Sequence, residues 1–325
     1  MMNTVIGKDI DLAAKHLING NLVAIPTETV YGLAANAFSA ENVVKIFEAK
    51  NRPFFDPLII HTYSLAKVLE WIPVIDSRLL QLAEAFWPGP LTLLLPKPDF
   101  IPDIVTSGLE RVAIRVPNHS LTLSLLSHLD FPLAAPSANP FGYVSPTTAQ
   151  HVYEQLNQKL AYILDGGDAQ IGVESTIVGL ENDKITIYRK GGLTVEEIQS
   201  LLPNEEIVIK SHSSSQPAAP GMLESHYSPN KKVYLGIDVL NELKDFDKNK
   251  IGILVFNEFY NDIPHKNQIK LSENGDINEA AKNLFSSLRA FDKLDIEILI
   301  IKDLLPENGL GIAVNDRLKR AAAKG

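Results

Sequence analysis

The sequence predicts an α/β protein of two domains, on three observations. Short apolar runs of strand length alternate with stretches of helical periodicity along most of the chain. A length of 325 residues fits roughly two domains of about 150 residues each. Near residues 211–230 the alternation breaks into His212-Ser-Ser-Ser-Gln-Pro-Ala-Ala-Pro-Gly221, which has the composition of a linker. A hydrophobic content of 45% is ordinary for a globular protein with a real core.

Taken in order, Ile10, Leu12, Ala13, Leu17 and Ile18 have helical spacing within residues 8–19, closed by Gly20 at a C′-like position. Leu22 to Ile25 reads as a short buried strand. Ser39 caps a helix carrying Val43, Val44 and Phe47, with Glu41 near its positive end. That helix delivers Lys50 and Arg52 at its C-terminal edge, and Pro53 stops it. Leu58 to Ile60 is a strand, and Asp76 to Phe86 a helix closed by Pro88, Gly89 and Pro90. Leu91 to Leu95 and Val112 to Val116 are strands, the second carrying Arg111 and Arg115. Leu121 to Leu129 is helical, and the strand Leu133 to Ala135 leads into Pro136, Ser137, Ala138 and Asn139. Thr147 to Leu156 is helical, Tyr162 to Leu164 a strand, and Ser175 to Leu180 and Lys184 to Arg189 are β-rich. Thr194 caps a helix to Leu202. Beyond the linker, strands at Lys232 to Leu235, Ile251 to Phe256 and Ile296 to Ile301 alternate with helices at Ile277 to Leu288 and Ile312 to Ala322. That alternation is the pattern of a small parallel sheet. The expected division is residues 1–210, a linker at 211–230, and residues 231–325.

Composition narrows the function. Net charge is −9; residues 1–210 carry 15 basic against 23 acidic side chains, and residues 211–325 carry 15 against 16. Neither half has the basic balance of a nucleic-acid-binding body. With no cysteine, thiolate catalysis, disulfides and Cys-ligated metal sites are excluded. No cationic segment followed by an apolar run opens the chain, and no stretch approaches the roughly 20 apolar residues of a membrane span. A cytoplasmic protein is expected.

Polar clusters sit where apolar strands begin or end, which in α/β proteins is where ligands bind. Lys50, Arg52, Arg111, Arg115 and Arg189 each read singly as a surface cation. Arg115, however, alternates with Val112, Ile114 and Val116, so its side chain belongs to the opposite face of a strand. Guanidinium groups around one crevice would grip phosphate or carboxylate. Ser137, Asn139, Ser145 and Ser175 follow strands, where turn and cap chemistry competes with hydrogen bonding to a ligand. His61 beside Ile59 and Ile60 reads as a structural histidine. His226 and Tyr227 form an aromatic pair in a linker with no core to fill. Among the motifs absent are the Gly-x-Ser-x-Gly elbow, the His-Glu-x-x-His pair, the phosphate loop and the dinucleotide glycine fingerprint. The residues alone stop at an α/β enzyme or binder with an anionic small-molecule site.

Several segments, taken together, resemble the YrdC-like domain of threonylcarbamoyl-AMP synthases. They are Pro26-Thr-Glu-Thr-Val-Tyr-Gly-Leu33, Lys50-Asn-Arg-Pro53, Pro57-Leu-Ile-Ile-His61, Trp87-Pro-Gly-Pro-Leu-Thr92, Val112-Ala-Ile-Arg-Val-Pro117, Ala135-Pro-Ser-Ala-Asn139, Gly172-Val-Glu-Ser-Thr-Ile177 and Arg189. Pro220-Gly-Met222, His226-Tyr-Ser-Pro229, Gly309-Leu-Gly311 and Asn315-Asp-Arg-Leu318 resemble the linker and C-terminal domain of the two-domain form. Leu223, Glu224 and Ser225 stand where the family often has basic and aromatic residues, and Lys190 where a proline is common.

The resemblance implies a YrdC-like domain with a twisted, mostly mixed sheet, helices and a concave site, plus a small Rossmann-like parallel α/β domain. It implies a reaction in which L-threonine, bicarbonate or CO2, and ATP with Mg²⁺ give threonylcarbamoyl-adenylate and pyrophosphate. Other proteins would use the product to modify tRNA, and tRNA contact with this chain is possible on that reading. Thr29, His61, Arg115 and Ser175, with the Ala135 backbone, would hold threonine. Lys50, Arg52, Asp56, Arg111, Ser137, Asn139, Ser145 and Arg189 would hold ATP or the adenylate, and Lys50 and Arg52 would be catalytic. The linker would act as a lid, Tyr227 covering the nucleotide, and no metal is assigned to protein side chains. The alternatives are an RNA-binding module without catalysis and a carbamoyl transferase using carbamoyl phosphate.

Overall fold

The computed structural model describes residues 3–210, 217–223 and 226–323. It falls into two units, which are described separately. The first comprises residues up to Phe141, Pro146–Gln170 and Glu174–Leu223; the second comprises Gly142–Ser145, Ile171–Val173 and residues from Glu224 onward. Residues 211–216, Glu224 and Ser225 of the expected linker lie outside the described residues.

In the first unit the strands are β1 (Val5–Gly7), β2 (Val23–Ile25), β3 (Gly32–Asn36), β4 (Ile59–His61), β5 (Leu91–Pro96), β6 (Arg111–Arg115), β7 (Leu133–Ala134), β8 (Tyr162–Leu164), β9 (Thr176–Glu181), β10 (Lys184–Arg189) and β11 (Ile207–Ile209). The helices are α1 (Ile10–Ile18), α2 (Ala40–Lys50), α3 (Leu65–Trp71), α4 (Ser77–Phe86), α5 (Asp103–Thr106), α6 (Ser120–Ser127), α7 (Ala149–Leu156) and α8 (Val195–Leu201). The strands form one eleven-stranded sheet in the order β1-β8-β2-β3-β7-β4-β6-β5-β9-β10-β11. Its ladders are mixed: β4 runs parallel to β6, β6 antiparallel to β5, and β5 parallel to β9. The mixed α/β class expected for this domain is what forms.

Alternation along the strands divides this sheet into two faces. Ile60, Leu93, Leu95, Val112, Ile114 and Val116 enter the main core with Val43, Ile46 and Phe47 of α2, Leu79 and Leu82 of α4, and Ile198 of α8. Ile59, Leu94, Ala113, Ile177 and Tyr188 belong to a second cluster, which Ala219 and Met222 of the linker complete. That half of the linker thus packs within the first unit; Ala219 and Met222 are buried. A third cluster joins α1 and α6 through Ala13, Leu17, Leu125 and Leu126 to Val23, Ile25 and Leu133.

Most expected elements form within a residue or two, and β3, which was not expected, owes its strand to pairing. β3 reads Gly-Leu-Ala-Ala-Asn, without a β-branched residue, and is a strand because β2 and β7 pair with it on either side. β1 and β11 are three-residue edge strands, largely exposed.

The second unit contains β12 (Lys232–Leu235), β13 (Ile251–Val255), β14 (Gln268–Lys270), α9 (Ile277–Phe291), β15 (Ile298–Ile301) and α10 (Leu310–Ala322). Its four strands lie in the order β12-β15-β13-β14, all parallel, as expected. Ile251, Ile253, Val255, Ile298 and Ile300 form its sheet core. The aromatic pair expected to lack a core finds one here. Tyr227 is buried and stacks on Phe285 of α9 at 5.4 Å, with the Arg320 and Arg317 guanidinium groups 4.7 and 5.4 Å from its ring centre.

α8 carries a complete capping box: Thr194 accepts from the Glu197 amide at 3.2 Å, and the Glu197 carboxylate accepts from the Thr194 amide at 2.8 Å. Thr194→Ala is expected to lower stability by about 1 kcal/mol. A urea titration should show a lower midpoint at unchanged slope, with Thr194→Ser close to the parent.

Candidate active site

Four loops and strand ends of the first unit meet on the face opposite the main core. Thr27 opens the first by accepting from the Thr29 and Val30 amides at 3.2 and 3.1 Å, a hydroxyl turn that fixes residues 26–31. Its hydroxyl lies 2.8 Å from that of Thr29. The Tyr31 carbonyl accepts from Ala138 at 2.8 Å and the Leu33 amide donates to Pro136 at 2.7 Å, so this loop is laced to residues 136–139. Ala135 donates to the Ile59 carbonyl at 2.9 Å, which brings in the end of β4.

Strand register does the rest. His61 of β4 stands opposite Arg115 of β6, and Arg115 stands opposite Thr92 of β5. Neighbouring strands are about 4.8 Å apart, so these side chains make a row of roughly 10 Å. Thr92 extends it by a 2.7 Å hydroxyl contact to Ser175. Arg189 then donates to the Ser175 carbonyl and hydroxyl, both at 3.1 Å. Gly191 permits this junction: a Cβ there would lie 2.2 Å from the Glu174 carbonyl oxygen and 2.6 Å from that of Ser175.

Arg115 is 3% exposed. It donates to the Gly89 carbonyl at 3.2 Å and the Thr29 hydroxyl at 2.9 Å, and its Nη2 lies 2.8 Å from Glu28 Oε1. The last contact is an ion pair without hydrogen-bond alignment. Burial, with Arg115 alongside, pushes His61 down to about 3, so its ring is neutral at physiological pH.

α2 supplies the second group of cations. It ends at Asn51 with φ of +52°, the left-handed conformation that asparagine tolerates, and this turn leads into the buried Arg52. Lys50 donates to the carbonyls of Ser137 and Asn139, both at 2.5 Å, tying α2 to the 136–139 loop. Burial and the neighbouring Arg52 hold its amine well below the ordinary lysine range. Arg52 donates to the carbonyls of Asp56 and Pro57 at 3.0 and 2.8 Å and pairs with the Asp56 carboxylate at 2.9 Å.

Of the residues expected at the site, Thr29, His61, Arg115, Ala135 and Ser175, with Arg189 beside Ser175, fall in the row and its loops. Lys50, Arg52, Asp56, Ser137 and Asn139 form the adjoining group. Arg111 is not brought in. It lies four residues before Arg115, about 13 Å along the strand at ~3.3 Å per residue. There it donates to Tyr188 at 2.8 Å and the Leu180 carbonyl at 3.0 Å. Ser145 and Tyr227 belong to the second unit, where the Ser145 carbonyl accepts from Arg289 at 3.2 Å. The sequence reading gave no role to Glu28 or Thr92. Both sit inside the segments that carried the resemblance, where Thr-Glu-Thr was the available signal.

The assembly is a buried group of cations and hydroxyls with few carboxylates, suited to anions. Comparison with known proteins gives it a family. A profile described as "Telomere recombination" matches residues 15–191, and one described as "Threonylcarbamoyl-AMP synthase, C-terminal domain" matches residues 193–323. A Pyrococcus abyssi protein named threonylcarbamoyl-AMP synthase is 38% identical, over 96% of this chain and 94% of its own length. The chain belongs to the threonylcarbamoyl-AMP synthase family. A Bacillus subtilis member is 37% identical over 95% of this chain and 92% of its own. Among solved structures, that of P. abyssi Sua5 complexed with L-threonine matches with a TM-score of 0.89 at 36% identity, covering 99% of this chain and 97% of that one. The second profile begins at residue 193, ahead of α8 and β11, which pack in the first unit. Among the described residues, no helix is long and apolar enough to cross a membrane.

The depressed His61 value makes a prediction. It lies below the ~6.5 of a free imidazole, so below that pH the unfolded chain binds a proton that the folded chain refuses. Stability linked to His61 is complete above about pH 6.5 and is lost as pH falls toward 3. Urea titrations followed by Trp71 and Trp87 fluorescence should lose stability more steeply from pH 7 to 4 for the parent than for His61→Gln. Equal slopes would count against a neutral buried ring.

Proposed function

We propose that this chain makes threonylcarbamoyl-AMP and pyrophosphate from L-threonine, bicarbonate or CO2, and ATP, for the modification of tRNA by proteins that consume the adenylate. The observation that carries this reading is the row His61–Arg115–Thr92–Ser175 beside the cations Lys50, Arg52 and Arg189, on a chain of this family.

In this reading threonine lies along the row. The Arg115 guanidinium takes its carboxylate, the Thr29 and Ser175 hydroxyls and the Ala135 backbone fix its orientation, and neutral His61 offers a ring nitrogen without adding charge. ATP lies toward Lys50, Arg52, Ser137, Asn139 and Arg189. Mg²⁺ arrives on the ATP phosphates as part of that substrate.

The chemistry asks little of the protein beyond placement. The threonine amine bonds to the carbon of CO2, which bicarbonate supplies by loss of water, and releases a proton to give a carbamate; a carbamate oxygen then forms a bond to the α-phosphorus as the bond from that phosphorus to the leaving pyrophosphate breaks. No enzyme nucleophile is needed, which suits a chain with no cysteine. Holding two anions in line and neutralising charge on the transferring phosphoryl group supply the acceleration.

The test is pyrophosphate release by the purified protein with MgATP and bicarbonate, with and without L-threonine, and mass detection of the adenylate. Threonine-independent release, or none, contradicts the reading. Arg52 is tested as Arg52→Lys, because Arg52→Ala would strand the buried Asp56 carboxylate at a cost of about 3–5 kcal/mol. Arg52→Lys keeps the charge and loses the planar fork. Turnover is expected to fall by about 100-fold or more with unfolding little changed; parent-like turnover removes Arg52 from the phosphate site.

A further inference from the structure

Glu28 has no task in that reading, and its surroundings ask for one. The residue is 7% exposed, its carboxylate oxygens are buried, and neither has an aligned hydrogen bond. What faces it is Arg115, with Nη2 at 2.8 Å from Oε1, and the His119 ring lies near enough to feel its charge. A buried carboxylate normally collects two or three donors, and burying one without them is costly. As a purely structural ion pair this one is poorly built.

The Arg52–Asp56 pair is a useful contrast. Its partners are four residues apart, and Arg52 also donates to the Asp56 and Pro57 carbonyls, so that pair closes its own loop. Glu28 and Arg115 come from a loop and a strand far apart in sequence. Arg115 is already anchored by Gly89 and Thr29, so Glu28 is not needed to orient it.

A guanidinium and a carboxylate side by side in a dry site form the charge image of an amino-acid zwitterion. The carboxylate and ammonium of an α-amino acid are separated by one carbon. A ligand whose carboxylate reaches Arg115 brings its ammonium within reach of the group beside it. We propose that Glu28 is the specificity-determining acceptor for the α-ammonium of threonine, completing the pocket in which Arg115 takes the carboxylate. This rests on the placement of threonine given above. It explains why the site tolerates a carboxylate beside a cation meant for an anion. The ligand's own positive charge compensates Glu28 when its negative charge takes Arg115.

The role predicts a selectivity that a counter-ion for Arg115 would not produce. Binding of L-threonine and of 3-hydroxybutyrate, which lacks the amino group, is measured by calorimetry on the full chain without ATP. The parent should prefer threonine strongly. Glu28→Gln should weaken threonine by about tenfold or more, the worth of a hydrogen bond to a charged group, while 3-hydroxybutyrate binds as well as before or better. Glu28→Asp should fall between, and it keeps the test available if Glu28→Gln does not fold, which unfolding curves and ATP affinity report. Equal losses for both ligands, or unchanged threonine affinity, overturn the proposal. Arg115→Lys separates it from its premise: if that variant binds threonine normally, the threonine placement fails. If it weakens threonine while Glu28→Gln keeps the parent's preference, only the Glu28 role fails.

Discussion

A guanidinium that is almost wholly removed from water governs the architecture of the first unit's site. β6 alternates, so Val112, Ile114 and Val116 can fill the main core only if Arg115 points the other way, into a face that is also covered. A buried charge has to be met. The Gly89 carbonyl, the Thr29 hydroxyl and the Glu28 carboxylate meet it, the first from the turn after α4 and the other two side by side from the 26–31 loop. Thr27 turns the chain so that Glu28 and Thr29 arrive together. The laddering of β4, β6 and β5 sets His61 and Thr92 on either side.

The electrostatics follow. A cation at Arg115 and burial together keep His61 uncharged, so the row carries one positive charge rather than two. The second cluster is built in the same spirit. Lys50 sits in a region where burial and Arg52 oppose its protonation, and backbone carbonyls of Ser137 and Asn139 receive its amine. Lys50, Arg52 and Arg115 all donate to backbone carbonyls, which fix position without cancelling charge, while Asp56 and Glu28 each set one carboxylate beside Arg52 and Arg115. Such a site is organised before any anion enters, and organisation in advance is what electrostatic catalysis requires.

Much of this was legible in the sequence because it rests on periods of two and on strand-end residues. The run Val112 to Val116 announced a two-faced strand, and Ser39 and Pro53 bracketed the helix that delivers Lys50. What was not legible depends on pairing across the chain. β3 has weak strand chemistry and exists through its neighbours. The separation of Arg111 from Arg115 needed the reach of an actual strand and the company of Tyr188. Tyr227 looked stranded because Phe285, its stacking partner, is 58 positions further along. Glu28 stood in plain view, but its partner could be found only once loop and strand were folded together.

The second unit is not a contiguous length of chain. Gly142–Ser145 and Ile171–Val173 belong to it, and Arg289 on α9 donates to the carbonyls of Val144 and Ser145. Gly172 runs so close to α9 that a Cβ would lie 2.5 Å from the Ala281 carbonyl oxygen. During synthesis these segments leave the ribosome more than 100 residues before the helix that needs them. A fragment beginning at residue 226 would leave Arg289 without the Val144 and Ser145 carbonyls, so the C-terminal unit is complete only with segments made well before it.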